Sequence, residues 1–223
     1  NKWTASTIAM NADSGQIEWG YQYTPWDCWD YDAVSTPVLA DVRLGGGPGL
    51  VKALFHHDKN GFFYALDRTN GKFLYGEPIV PNISWAFGLD PETGRPKVNP
   101  AMIATTGGPE VGPIIPSLEG SIDWQPLAFD PSLNYLFFMS NQWAMGYKFW
   151  EKDKFKPPTN GEWYLGGDYQ QYLTSENPGN FVAFDVVNRK VLWRAVSPAP
   201  FWAGAVATST GLVFTGDMRG YFM

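Results

Sequence analysis

Apolar residues along this chain come in short runs closed by glycine, asparagine, aspartate or proline. Leu133-Asn134-Tyr135-Leu136-Phe137-Phe138-Met139, Phe181-Val182-Ala183-Phe184 and Gly211-Leu212-Val213-Phe214 are of this kind. Runs of about four to eight residues with such boundaries predict strands ended by tight turns. No segment keeps a 3.6-residue apolar period over three turns. The pattern therefore predicts an all-β fold, with helix minor and confined to loops.

The turns themselves repeat. Ala9-Met10-Asn11-Ala12-Asp13-Ser14-Gly15-Gln16-Ile17-Glu18-Trp19 reads as strand, turn, strand, and so do the segments that begin at Ala65 and Ala183. Ala128-Phe129-Asp130-Pro131 opens a shorter copy. With Asp13, Asp67, Asp130 and Asp185 as markers, the intervals are 54, 63 and 55 residues, which is the spacing of β-propeller blades. Each turn offers an Asp or Asn that can bond its own backbone, then a Gly or Asn suited to positive φ.

Residues 1–223 are accordingly expected to form one domain holding about three to four blades of a larger propeller. Complete propellers close their sheet edges, whereas the last repeat here stops in mid-strand at Gly220-Tyr221-Phe222-Met223. A β-sandwich with coincident turns is the rival architecture. Two stretches break the rhythm, 90–120 and 152–180; they are expected to be long loops forming a rim over a pocket.

Composition narrows the function. An aromatic content of 17% with 24 glycines and 18 prolines fits short strands and many turns. A net charge of -6 with no basic run argues against nucleic acid or an anionic membrane as partner. No run approaches the ~20 apolar residues of a membrane span, and the polar start Asn1-Lys2-Trp3-Thr4 has no signal-peptide pattern. One cysteine, Cys28, excludes a disulfide within the stretch and leaves the compartment open.

The densest chemistry lies in Thr24-Pro25-Trp26-Asp27-Cys28-Trp29-Asp30-Tyr31-Asp32, where three carboxylates sit among three large aromatics. Carboxylates crowded against apolar walls stay ionised only with a cation or donors nearby, and a hard metal is the natural counter-ion. Asp30 and Asp32 share parity along an extended segment, so their side chains are expected to point the same way. A solvated acidic turn over a core of aromatics is the plainer reading of the same residues. Lys59, at a strand end after His56-His57-Asp58, could place a cation against a carbonyl oxygen. Without Cys or a third His, His56 and His57 make a weak zinc signal, and ordinary hairpin polarity is their expected fate. Neither a dinucleotide nor a P-loop glycine pattern is present; Gly45-Gly46-Gly47-Pro48-Gly49 reads as a flexible turn. Gly-x-Ser-x-Gly and Cys-x-x-Cys-His are absent too.

At this point three ordered blocks resemble the quinoprotein alcohol and methanol dehydrogenases: Tyr21-Gln22-Tyr23-Thr24-Pro25 with Trp29-Asp30-Tyr31-Asp32, Lys59 through Lys72, and Phe201-Trp202-Ala203-Gly204 before Thr210-Gly211-Leu212-Val213-Phe214. The resemblance implies an eight-bladed propeller around pyrroloquinoline quinone and a metal, with this chain as an internal piece. It implies Asp30 as the general base, Asp30 and Asp32 as metal ligands, and Lys59, Asp123, Trp124, Trp202 and Ala203 as cofactor contacts. Asp32 marks lanthanide-dependent relatives, with calcium as the alternative ion. Asp123 departs from the asparagine of relatives. The family's remaining metal ligands, a Glu and an Asn, are expected upstream of Asn1.

The activity so implied is oxidation of a primary or secondary alcohol, with electrons passing to a c-type cytochrome in the periplasm, and a homodimer is compatible with it. A non-catalytic propeller that binds proteins, and a quinoprotein acting on sugars, are the competing readings.

Overall fold

The computed structural model describes residues 2–32, 34–45, 47, 49–162 and 164–223. Of the expected Gly45–Gly49 turn, Gly46 and Pro48 lie outside these residues, as does Asn1 of the polar start. The regular elements are strands and two single-turn 3-10 helices, at Pro100–Met102 and Lys152–Lys154, in keeping with the absence of a helical apolar period.

The described residues form six sheets, two of them four-stranded as propeller blades are. Strands β1 (Ser6–Met10) and β2 (Ile17–Gln22) pair as a ribbon, and β3 (Val38–Val42), β4 (Val51–His57), β5 (Phe62–Asp67) and β6 (Phe73–Pro78) form a complete four-stranded antiparallel meander. After the ribbon β7 (Ala86–Leu89) and β8 (Pro96–Val98), and β9 (Val111–Ile114), comes the next sheet. It holds β10 (Ala128–Asp130), β11 (Tyr135–Met139), β14 (Gly179–Asp185) and β15 (Lys190–Ser197), in that order. Between β11 and β14 the chain leaves to make β12 (Trp143–Phe149) and β13 (Gly167–Leu173). A last ribbon, β16 (Val206–Ala207) with β17 (Val213–Phe214), follows.

The hairpin turns obey local side-chain chemistry. Asp67, Asp130 and Asp185 each accept backbone N–H bonds two residues on, at 2.8–2.9 Å. In the first copy the marker is Asn11, which accepts from Asp13 and Ser14, and not Asp13 itself. The fourth residue after each marker takes positive φ: Gly15, Gly71, Asn134 and Arg189. At the last of these the residue is Arg189, neither Gly nor Asn, and the preceding Asn188 donates its side-chain amide to Asp185. A fifth turn of this design, Asp90 to Gly94, joins β7 to β8.

The two rhythm-breaking stretches are not bare loops. The first contributes β8 and β9 and the second β13, and β9 and β13 flank β12 in a three-stranded sheet. Proline in β9 and the polar run Asp168-Tyr169-Gln170-Gln171 in β13 hide the strand pattern from the sequence. Among the described residues no helix is long and apolar enough to cross a membrane.

The blade β3–β6 is buried on both faces, and period-two alternation sorts its side chains. Phe55, Phe63 and Ala65 join a core shared with Phe138, Val182 and Phe184 of the following sheet. Leu54, Phe62, Tyr64 and Leu66 join a second core with Tyr23, Trp29, Tyr31 and Trp85. That second core underlies the acidic segment.

His56 and His57 correct the expectation of hairpin polarity. They are 1% and 0% exposed, since the segment around Ser121 closes over their end of the blade and His57 Nε2 lies 3.0 Å from Ser121 Oγ. Burial pushes His57 down to about 3, so it is a neutral ring at physiological pH.

Candidate active site

The segment after β2 curls around Asp27, whose Oδ1 accepts the Trp29 N–H at 2.9 Å. Trp29 and Tyr31 turn inward. The Trp29 indole donates to the Met102 carbonyl at 2.8 Å and the Tyr31 hydroxyl to that of Pro116 at 2.6 Å, and both rings pack on Trp85. Asp30 and Asp32 alternate with them and face outward together, as their parity predicts. The backbone is not plainly extended, however, because Asp30 sits at φ +68°, a left-handed conformation that Asp and Asn tolerate better than other side chains.

What both carboxylates meet is Lys59. Its Nζ lies 2.7 Å from Asp32 Oδ1 and 3.1 Å from Asp30 Oδ2. The lysine side chain is 5% exposed, against 46% for Asp30 and 64% for Asp32, so the cation is walled in while each carboxylate keeps an oxygen open to a ligand. Asp123 adds its charge to the same group. Gly120 lies against the lysine stem, and a Cβ there would overlap Lys59 Cγ. Its φ of +71° suits glycine as well.

The electrostatics follow from this packing. Burial raises the Asp30 carboxyl above the usual range, Lys59 opposes that rise and Asp32 adds to it. Asp123 is raised by burial too, against the pull of Lys59. Burial by itself would lower Lys59, but the hydrogen bond to Asp32 and the surrounding carboxylates hold it above its ordinary value.

Burial lifts Asp27 up to about 6. Because its folded value exceeds its unfolded one, its favourable contribution to stability is complete below the unfolded carboxylate range and is lost as pH rises through about 6. Asp27→Asn, which cannot ionise, should therefore gain stability relative to wild type between pH 4 and pH 7.5. Urea midpoints at the two pH values check this, and an equal difference at both would contradict it.

The remaining cofactor candidates are brought near by a chain of backbone bonds. Ser121 N donates to the Lys59 carbonyl at 3.1 Å, and Asn141 N to that of Ser121 at 2.8 Å. The Asn141 side chain then bonds both N–H and C=O of Phe201, and Ala205 N reaches the Pro126 carbonyl. Asp123 thus follows the segment bonded to Lys59, and Trp202 and Ala203 follow the residue tied to that segment through Asn141. Trp202 stacks on Trp143 with centroids 5.9 Å apart, and the Trp143 indole N–H and the Gln125 amide nitrogen are buried with no partner. Trp124 is 53% exposed and shares no hydrogen bond or ring contact with the lysine cluster among the described residues. Trp143, Asn141 and Gly120 were not singled out from sequence, since their relation to Lys59 arises only from the way the blades stack.

On the other side of Asp30 opens a cleft of about 370 Å³. Asp27, Cys28, Trp29 and Leu118 form one wall, and Met145, Tyr147 and Tyr169 of β12 and β13 the other. Burial, with help from Cys28 and Asp30, pushes the Tyr147 hydroxyl up to about 12; it donates to the Leu165 carbonyl at 3.0 Å. Asp30 is the carboxylate common to the cleft and the lysine cluster.

The chain is similar to known proteins over nearly its whole length. The family model described as glucose/ethanol/alcohol dehydrogenase, beta-propeller domain, matches residues 1–83. The quinoprotein alcohol dehydrogenase PedH of Pseudomonas putida is 37% identical over 99% of this chain and 37% of its own length. The lanthanide-dependent methanol dehydrogenase of Methylacidiphilum fumariolicum is 34% identical over 100% of the chain and 36% of its own. A solved europium-containing methanol dehydrogenase superposes with a TM-score of 0.90 at 33% identity, covering 99% of this chain and 38% of that one. The chain belongs to the quinoprotein alcohol and methanol dehydrogenase family. It spans a little over a third of the length of these relatives.

The donor chemistry fits part of such a family site. Asp30 and Asp32 offer two anionic hard-oxygen donors to a hard cation, which takes about six to eight oxygens in the case of calcium. Among the described residues no group of three His, Cys, Asp or Glu gathers as a complete site. The orphaned indole and amide donors at Trp143 and Gln125 suit a polar, planar ligand beside Trp202.

Proposed function

We propose that the full-length protein oxidises primary or secondary alcohols, with Asp30 as the base that takes the hydroxyl proton. The observation that carries this reading is the position of Asp30, which meets the Lys59 ammonium and also lines a cleft of mixed polar and apolar character. Asp30 and Asp32 would hold the cation, and Lys59, Asp123, Trp124, Trp202 and Ala203 would face the quinone. When bound, pyrroloquinoline quinone supplies the two-electron oxidant and the cation Lewis acidity.

Asp30 does its part as a carboxylate, so activity should rise with pH through its ionisation. Lys59 favours the ionised form and is placed to offset negative charge that grows on a neighbouring oxygen. Trp29, Leu118 and Met145 in the cleft wall offer apolar contact to the carbon chain of the alcohol. A second carboxylate at Asp32 favours a trivalent lanthanide over calcium, since more anionic oxygens suit a higher ionic charge. The same reading has electrons leaving to a c-type cytochrome in the periplasm.

Dye reduction by the full-length protein, loaded with pyrroloquinoline quinone and either lanthanum or calcium, tests the proposal. Alcohol-dependent reduction is expected, faster with lanthanum, and none with either ion would overturn it. The apolar part of the cleft wall, with Trp29, Leu118 and Met145, makes a further demand on that assay. Each added methylene of a linear alcohol that is buried contributes about 0.8 kcal/mol, or about fourfold in kcat/KM. The series from methanol upward should therefore climb until the apolar wall is covered. A flat or falling series would remove the cleft from the substrate path.

A further inference from the structure

We infer that Ser35, His56 and Asp58 form a buried polar tie whose task is to hold the loop bearing Asp30 and Asp32 at a fixed distance from the turn bearing Lys59. These are positioning residues, and the inference rests on the reading of Asp30 and Lys59 given above.

The loop from Tyr23 to Ser35 is fastened to that one turn at both ends. At its start, Asn60 Nδ2 donates to Thr24 Oγ1 at 3.1 Å. At its end, the Ser35 hydroxyl donates to the His57 carbonyl at 3.0 Å and lies 3.4 Å from His56 Nδ1. Since a carbonyl can only accept, the single Ser35 proton goes to it, and His56 Nδ1–H donates to the Ser35 oxygen. His56 Nε2 then lies 3.2 Å from Asp58 Oδ2, and Asp58 Oδ1 accepts the Asn60 N–H at 2.9 Å. The line runs from the acidic loop through the end of β4 to the turn holding Lys59, and Ser35, His56 and Asp58 are all at most 2% exposed. The pair is net neutral whether His56 and Asp58 are both charged or both uncharged, and the same atoms make the bond either way.

Packing alone does not call for such groups. A buried His–Asp pair is often no more stabilising than apolar side chains of equal volume, whereas its directional bonds admit a single geometry. Here that geometry is the one in which a nearly inaccessible ammonium meets two carboxylates borne by a different segment. Misplacement of about 1 Å can cost roughly 100-fold in rate, so a rigid tie is worth its polar burial.

The test uses full-length protein and Ser35→Ala, which releases the far end of the loop while leaving the Asn60–Thr24 and His56–Asp58 bonds in place. In cofactor-free protein, acylation of the Lys59 amine, followed by mass spectrometry with exposed Lys52 as internal reference, should quicken several-fold. In loaded enzyme kcat should fall about 10- to 100-fold with KM for the alcohol little changed. Asp58→Asn, which can still bond both His56 and the Asn60 N–H, should keep near-normal labelling and rate, while Asp58→Leu should behave as Ser35→Ala or worse. Where a variant loses its thermal transition, Asp58→Asn against wild type carries the comparison. Unchanged Lys59 labelling with unchanged kcat in Ser35→Ala overturns the tie. Failure of the alcohol dehydrogenase reading shows separately, as wild-type enzyme with no alcohol-dependent dye reduction.

Discussion

Lys59→Met should lower kcat about 100- to 1,000-fold, the range found when one preorganised donor to a developing charge is removed. Methionine keeps the unbranched stem that fits beside Gly120, so the loss reports the charge. It also leaves Asp30, Asp32 and Asp123 without the cation they share. Lys59 holds the Asp30 value down, so its removal raises that value, and the acid limb of kcat/KM should move to higher pH. Rate profiles of the full-length enzyme from pH 5 to pH 10 measure both effects. A normal rate, or a limb moving to lower pH, would contradict the assignment. Lys59→Arg should recover part of the activity, because it restores the charge with a different shape.

Asp30→Asn is expected to remove about 100- to 10,000-fold in turnover, the usual contribution of a general base, while leaving the fold intact. Asparagine tolerates the left-handed backbone found at φ +68° and can still accept from Lys59, and its neutrality relieves repulsion with Asp32. The thermal midpoint of the cofactor-free variant should thus equal or exceed that of wild type. Asp30→Ala would mix backbone strain with lost chemistry, which makes Asn the cleaner variant. Near-normal turnover by Asp30→Asn would place the base elsewhere.

How far the sequence revealed this depends on the range of the forces involved. The Asp67, Asp130 and Asp185 turns were legible because each aspartate and the N–H groups it bonds lie within three residues. The same locality explains why Asn11 was misplaced by two positions, since two acceptors in one turn look alike until the backbone is known. The Asp30 to Lys59 contact spans 29 residues, and apart from a family resemblance nothing in the spacing announces it. Burial of His56 and His57 needed Ser121, 64 residues from His57. The sheet of β9, β12 and β13 stayed hidden because its outer strands carry proline and polar side chains. The cleft beside Asp30, part of whose wall that sheet builds, was hidden with it.

Gly120 sets the bore of a sleeve through which the side chain at position 59 must pass, because a single added carbon there would collide with the lysine stem. Lysine, arginine and methionine share the same slender first methylenes and differ beyond them. Valine, isoleucine and threonine branch at the first carbon and would jam. For anyone redesigning this site, the chemistry at the tip of residue 59 is open to choice while its girth is not, and a variant library at that position should sort by branching before it sorts by charge.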